Sequence, residues 1–219
     1  MNRQLASKWL KSSVMSQNPY IARHLPSSRM FNSSNLRTML SRYGMVVIKP
    51  VRGGGGIGVM KISRQGGRYS CTYMSRTVTR SSFGGILSEI NRRKGRRSYL
   101  IQRGIRLATI AGRPIDYRVK YVKENGVWRY RSMLGRLARR GLFVTNLCRG
   151  GVQMPAAQGI RLSLSARLVG RKKQEMRHLT KASTELLERH FPGIGQLGYD
   201  YGIDRNGHVW ILEVNTRPQ

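Results

Sequence analysis

Nine acidic residues stand against 41 lysines and arginines in this 219-residue chain, so the position of each acid carries unusual weight. Glu213 lies in the run WILEVN. Strand alternation sets Glu213 and Asn215 on one face, with Leu212 and Val214 on the other. A carboxylate beside an amide offers hard oxygen donors, the type that Mg²⁺ prefers. Asp200, in LGYDYGI, falls in the preceding strand of the same hairpin and can supply a third oxygen. The plain alternative is that these acids only pair with surplus arginines.

Asp116, in PIDYRVK, shares a strand face with Arg118 and Lys120. One reading is a local ion pair. The other is a basic face that meets phosphate and substrate charge, with Asp116 orienting Arg118. Further on, Arg136, Arg139 and Arg140 precede VTNLCRGG. An arginine here could stabilise the oxyanion and phosphate of a tetrahedral intermediate, and Asn146 could donate to the same group. A solvated basic patch is the ordinary alternative. The remaining acids have bland readings: Glu175, Glu185 and Glu188 offset neighbours on a long helix, Glu89 sits on another helix, and Glu124 and Asp204 lie in turns.

The stretch VVIKPVRGGGGIGVMKIS runs from Val46 to Ser63. Gly53, Gly55 and Gly58 satisfy G-x-G-x-x-G in form, but a dinucleotide site needs a helix after the loop, and GVMKIS alternates as a strand instead. A P-loop needs Gly-Lys-Ser/Thr at its end, which this loop lacks. What remains is a glycine loop, with Gly53, Gly54, Gly55, Gly56 and Gly58, joining two antiparallel strands. Such a hairpin can fold over a triphosphate with bare backbone N–H groups turned to the oxygens. Lys49 lies just before the loop and Lys61 just after it. No H-R-D or D-F-G follows, which sets kinases aside. A floppy basic linker is the alternative, and the patterned strands on both sides argue against it.

These residues need elements to hold them. Residues 2–17 have apolar positions at helical spacing, and NPYIARHLPSSRMF reads as a connecting loop. SSNLRTMLSRYG reads as a helix capped by Ser33 or Ser34 and closed by Gly44. MVVIKP, GVMKIS, GRYSCTYMS and SYLIQRGI read as strands, and SSFGGILSEINRRK as a helix. Two long strands flank the turn Glu124-Asn125-Gly126. The longest helix, LVGRKKQEMRHLTKASTELLERHFPG, turns Met176, Leu179, Leu186 and Leu187 inward, and a hairpin turned at Asp204–Gly207 closes the chain. Hairpin-linked strands mixed with helices predict an α+β protein with antiparallel sheets.

The formal charge of +32 implies an anionic partner, and the basic residues are spread along the chain rather than gathered in a tail. No apolar run approaches the roughly 18 residues of a membrane helix. The first 26 residues are acid-free and Ser-rich like a transit peptide, but acids are scarce throughout. Cys71 and Cys148 form no C-x-x-C pair and no zinc spacing, so reduced thiols in a cytosol-like compartment are expected.

In order, the pieces are VVIKP with its glycine loop, YLIQRGI, GRPIDYRV, Arg136 and Asn146 with LCRGG, then Asp200, Glu213 and Asn215. This set, over roughly residues 20–219, resembles the ATP-grasp superfamily, and within it the YheC/YheD-type endospore coat-associated proteins. It is also similar to the ribosomal-protein glutamate ligases in its D-x-R, N-L-x-R-G-G and E-V-N segments. The resemblance implies an ATP-grasp fold of two α+β lobes with ATP gripped between them. It implies an N-terminal helical or linker segment over 1–44, a small lobe over 45–105 and a C-terminal lobe over 106–219. It assigns Lys49, Lys61 and the glycines to the ATP phosphates, and Gln102, Arg103, Gly104 and Ile105 to adenine. It assigns two Mg²⁺ ions to Asp200, Glu213 and Asn215, and the γ-phosphate and acyl phosphate to Arg118, Arg136 and Asn146.

The activity so implied is ATP-dependent carboxylate–amine ligation through an acyl phosphate, with the positive charge capturing an acidic peptide, protein or polymer. Only about 44 residues precede the first strand, and the chain stops just after E-V-N, so a partner protein replacing a missing N-terminal substrate domain is a further expectation. A cytoplasmic or spore-coat location follows from the same resemblance, with no membrane partner. Two other classes compete. One is a non-catalytic nucleotide-binding structural protein. The other is a nucleic-acid binder, disfavoured because aromatics are 8% of the chain and no RNA- or DNA-binding signature is present.

Overall fold

The computed structural model describes residue 5 and residues 7–216. The chain divides into two compact units: one holds residues up to Leu25, Arg106–Arg140 and residues from Thr145 on, the other Pro26–Ile105 and Gly141–Val144. This division falls within residues 1–44, between Leu25 and Pro26. Helices α1 (Lys8–Met15) and α2 (Pro19–Ala22) belong to the first unit, whereas strand β1 (Ser28–Met30) and helix α3 (Ser33–Tyr43) belong to the second.

The stretch expected to be a loop thus contains structure. Asn18 Oδ1 accepts from the N–H of Tyr20 and Ile21, and Pro19 fills the first helical position, so Asn-Pro starts a helix here. Helix α3 is capped by Asn32 rather than by a serine, and it ends at Gly44 with φ 68°.

The second unit continues with β2 (Met45–Pro50), β3 (Met60–Gln65), β4 (Arg68–Tyr73), β5 (Arg76–Arg80), α4 (Phe83–Lys94) and β6 (Tyr99–Arg103). Its sheet runs β1-β6-β2-β3-β4-β5, and every pairing is antiparallel. Alternation divides the sheet into two faces. Val46, Ile48, Ile62, Cys71 and Ile101 pack against Leu36, Met39 and Leu40 of α3 and Phe83, Ile86 and Ile90 of α4. Each large side chain so buried contributes about 1.5–3 kcal/mol. The opposite face carries Val47, Lys49, Lys61, Thr72 and Gln102: Val47 is in register with Gln102 on one side and Lys61 on the other, and Lys61 with Thr72.

The first unit holds β7 (Thr109–Ile110), β8 (Arg113–Glu124), β9 (Val127–Leu137), β10 (Val152–Pro155), α5 (Ala156–Ser163), α6 (Val169–His190), β11 (Gln196–Ile203) and β12 (Val209–Asn215). Its sheet runs β10-β9-β8-β11-β12, with β7 beside β8. The β8–β9 turn has positive φ at Asn125 and Gly126, the signature of a tight hairpin. Ile115, Tyr117, Val119, Tyr199, Tyr201, Ile211 and Val214 form the core face with Met176, Leu179, Leu186 and Leu187 of α6. The buried phenols are satisfied by helix hydroxyls: Tyr199 bonds Thr184 at 2.8 Å, Tyr201 bonds Thr180 at 2.8 Å and Tyr117 bonds Ser163 at 3.2 Å. Strand β10 and helix α5 had no sequence expectation, because VQMPAAQGIRLS shows neither a clean alternation nor a long helical repeat. Among the described residues no helix is long and apolar enough to cross a membrane.

Candidate functional site

The outer face of the first unit's sheet concentrates charge. Asp116 on β8 is in register with Arg136 on β9, and Arg118 on β8 with Asp200 on β11. Arg136 grips Asp116 with both ends of its fork, Nε to Oδ1 at 2.8 Å and Nη2 to Oδ2 at 2.6 Å. The same Nη2 lies 2.9 Å from Asp200 Oδ1. Arg118 holds Asp200 through Nε to Oδ1 and through Nη2 to Oδ2 at 3.0 Å. Two acids and two arginines thus form one connected, charge-balanced network on three neighbouring strands. Bidentate charge-assisted bonds of this kind fix side-chain geometry as well as charge.

The expectation that Asp116 orients Arg118 is corrected. Asp200 holds Arg118, and Asp116 holds Arg136. Cross-strand partners sit about 5 Å apart, closer than same-face neighbours on one strand, so the register decides the pairing. The ion-pair reading of Asp116 and Asp200 therefore describes their present partners.

Burial raises the Asp200 carboxyl, but the charges and hydrogen bonds of Arg136 and Arg118 outweigh it and leave Asp200 below the usual carboxylate range. Asp116 goes the other way: burial outweighs Arg136 and holds it above that range. Thr145 adds a hydrogen bond to Asp116 and is itself buried. Thr145 escaped the sequence reading, although its place beside Asn146 in VTN was a usable signal.

Glu213 is in register with Asp200, and Asn215 with Gly198. The register shifts at Asp200/Tyr201, which makes Leu212 an extra residue in β12. A Cβ on Gly202 would lie 2.5 Å from Leu107 and 3.1 Å from Leu212, so this strand needs glycine there and Leu212 lies on the Asp200 side of the sheet. The expected strict alternation, with Leu212 opposite Glu213, is corrected by this bulge. Glu213 Oε1 is 3.3 Å from Lys8 Nζ on α1. The donor types of Asp200, Glu213 and Asn215 fit a hard divalent cation: two carboxylates opposed on paired strands, and an amide two residues beyond Glu213 on β12. Among the described residues there is no group of three His, Cys, Asp or Glu side chains placed to hold a metal.

Asn146 opens a single helical turn over Leu147–Arg149; its side chain does not cap that turn, and its carbonyl accepts from Arg149 N at 2.9 Å.

In the second unit, Lys49 Nζ donates to Gln102 Oε1 at 2.9 Å, with both residues buried on the polar sheet face. Lys61 stands over the Phe143 ring at 5.5 Å. The glycine loop connects paired antiparallel strands, as Ile48 and Met60 are in register at its base. Gly53, Gly55, Gly56 and Gly58 all have positive φ. Gly58 is fixed twice over, since a Cβ there would lie 2.7 Å from the Tyr99 hydroxyl and 3.0 Å from Pro50. Gly53 and Gly54 have nothing within 4 Å of an added Cβ. The Arg103 guanidinium lies over the Tyr43 ring at 5.4 Å. Gly104 N donates to Met45 O at 3.0 Å, which ties the segment before Ile105 to β2.

The YheC/D-like ATP-grasp family model matches residues 1–219. The chain is 29% identical to the endospore coat-associated protein YheD of Bacillus subtilis (strain 168), over 99% of this chain and 49% of that protein. It thus spans about half the length of this curated relative. A Staphylococcus aureus N5-carboxyaminoimidazole synthetase complexed with ADP shares the fold, with TM-score 0.62 at 12% identity over 99% of this chain and 46% of that one. An L-amino acid ligase from Bacillus licheniformis does so with TM-score 0.58 at 15% identity, over 97% of this chain and 40% of that one. The chain has the ATP-grasp fold and belongs to the YheC/D-like ATP-grasp family.

Proposed function

We propose that this chain is an ATP- and Mg²⁺-dependent carboxylate–amine ligase that works through an acyl phosphate. The observation that carries the reading is the opposition of Asp200 and Glu213 on paired strands, joined to Arg118 and Arg136. Family membership supports it, and so does the fold shared with an ADP-bound synthetase and an amino acid ligase.

In this reading Lys49, Lys61 and the backbone N–H groups of Gly53–Gly58 take the phosphate oxygens, while the backbone from Gln102 to Ile105 takes the purine. Asp200, Glu213 and Asn215 hold Mg²⁺. Bound Mg²⁺ screens the phosphate charge and raises the electrophilicity of the transferred phosphoryl group. The acids engage Nε and Nη2 of Arg118 and of Arg136, and in this reading the Nη1 groups meet the transferred phosphoryl group. Their forks are already oriented, which removes reorganisation when charge develops on the acyl phosphate. Asn146 donates to the same charge. The net charge of +32 favours an acidic peptide, protein or polymer as substrate.

The test is a thermal-shift assay followed by turnover. Mg·ATP should raise the melting temperature of the wild type and not of Glu213→Ala. An acidic peptide should then stimulate ADP release and gain mass. No shift with Mg·ATP would end the nucleotide reading.

The relative's description as coat-associated favours a second reading, a nucleotide-binding structural protein of the spore coat. Bound ATP without turnover across panels of acids and amines would support it.

A further inference from the structure

The polar face of the second unit carries a hydrogen-bond chain with a fixed direction. Ser28 Oγ donates to Pro26 O at 2.9 Å, Gln102 Nε2 donates to Ser28 Oγ at 3.3 Å, and Lys49 Nζ donates to Gln102 Oε1 at 2.9 Å. Each step forces the next. An ammonium only donates, so the amide must show Lys49 its oxygen. The amide nitrogen then points at β1, where Ser28 is in register with Gln102. The Ser28 hydroxyl can accept because its own hydrogen is committed to Pro26 O.

We propose that Ser28 is a positioning residue for Lys49, acting through Gln102. The inference rests on the reading of this face as the phosphate site. Without an acceptor at position 28, an amide N–H of Gln102 is left unsatisfied in a buried site, and the side chain loses the anchor that keeps its oxygen toward Lys49. The side chain then leaves this rotamer to pair that N–H elsewhere, which withdraws its oxygen from Lys49. Lys49 and Gln102 are 8% and 9% exposed, so few water molecules can stand in for the lost partner. The chain also gives Gln102 a different task from the one implied by its place in YLIQRGI. Both ends of its amide are engaged, one by Lys49 and one by Ser28. The side chain serves the lysine, and purine recognition falls to the backbone that follows.

The two roles of Gln102 separate by ligand. A lysine tether matters to a ligand with phosphates and not to one without them, whereas a purine contact matters to both. Binding of Mg·ATP and of adenosine is measured by competition against a fluorescent ATP analogue. The proteins are wild type, Ser28→Ala, Ser28→Thr and Gln102→Met, with melting temperatures recorded alongside. Ser28→Ala should weaken Mg·ATP about fivefold, the scale of one lost hydrogen bond in a desolvated site. Ser28→Thr should restore it, and Gln102→Met should weaken Mg·ATP while leaving adenosine unchanged. Equal binding of Mg·ATP by wild type and Ser28→Ala overturns the inference alone, as does an equal loss of ATP and adenosine in Gln102→Met. Failure of the wild type to bind Mg·ATP overturns the nucleotide reading, and this inference with it.

Discussion

Asp200 and Glu213 face each other across the β11–β12 register, yet they answer to different cations: Asp200 to Arg118 and Arg136, Glu213 to Lys8 on α1. A divalent ion shared by this pair must share Glu213 with the Lys8 ammonium or displace it. Two like charges near one carboxylate repel by about 1 kcal/mol where water still screens the pair. Lys8→Met should therefore lower the Mg²⁺ concentration that gives half of the ATP-induced thermal shift, by about threefold to tenfold. An unchanged or higher Mg²⁺ requirement would show that Lys8 does not contend for Glu213.

Arg136 bridges two buried carboxylates, so its loss leaves like charges facing one another. Arg136→Met should destabilise the fold by about 3–5 kcal/mol in denaturant unfolding. Arg136→Lys should recover little, because a single ammonium cannot reproduce the fork. Pairing Arg136→Met with Asp116→Asn should recover part of the loss. A double variant no more stable than the single one would count against the shared bridge.

The two thiols differ in environment. Burial pushes the Cys71 thiol up to about 11, against a small opposing effect from Arg93, whereas Cys148 is exposed. At pH 8 an alkylating reagent should add one label, at Cys148, as read by peptide mass. Unfolding should add the second. Labelling of Cys71 in the native protein would mean that the β4 core opens on the timescale of the reaction.

Lys11 is buried with its ammonium on Leu5 O at 2.9 Å, and burial lowers it to about 8 although Glu213 pulls the other way. The sign follows. The unfolded chain holds this proton up to about pH 10.4 and the folded chain only to about 8, so the unfolded state binds more protons within that window. Stability should rise as pH climbs from about 8 to 10.4, by at most about 3 kcal/mol, and stay flat below the window. Lys11→Met should be more stable than wild type at pH 7 and lose this slope. Urea midpoints measured across the range decide it.

Much of the frame was legible in the sequence because its signals were local. The Asn125-Gly126 turn, the alternation of β8 and the inward leucines of α6 each follow from neighbours in sequence. The opposition of Asp200 and Glu213 was legible for a related reason: acids are rare here, and the two lie on the arms of one hairpin. What escaped depends on register between distant segments. Arg136 opposite Asp116 spans a hairpin whose bulge between Lys120 and Tyr121 cannot be read from either strand alone. The three-residue β1 is too short for a period, so the partnership of Ser28 with Gln102 had no signal. Lys8 meets Glu213 from the other end of the chain, and Phe143 comes to Lys61 through a loop that leaves its neighbours in sequence to join the second unit.

The outer side of β12 is closed by the N-terminal segment. Ile211 N donates to His24 O at 2.8 Å, the His24 ring bonds Val209 O at 2.7 Å, and Leu5 N donates to Thr216 Oγ1 at 2.8 Å. At the far end of the other sheet, β5 is open but displays Arg76 and Arg80. An open strand edge is a template for a foreign strand. One edge here has its backbone groups already taken, and the other meets a second copy with like charge. These two edges are thus poor templates for strand exchange between copies of this chain, and the strand that carries Glu213 keeps its register.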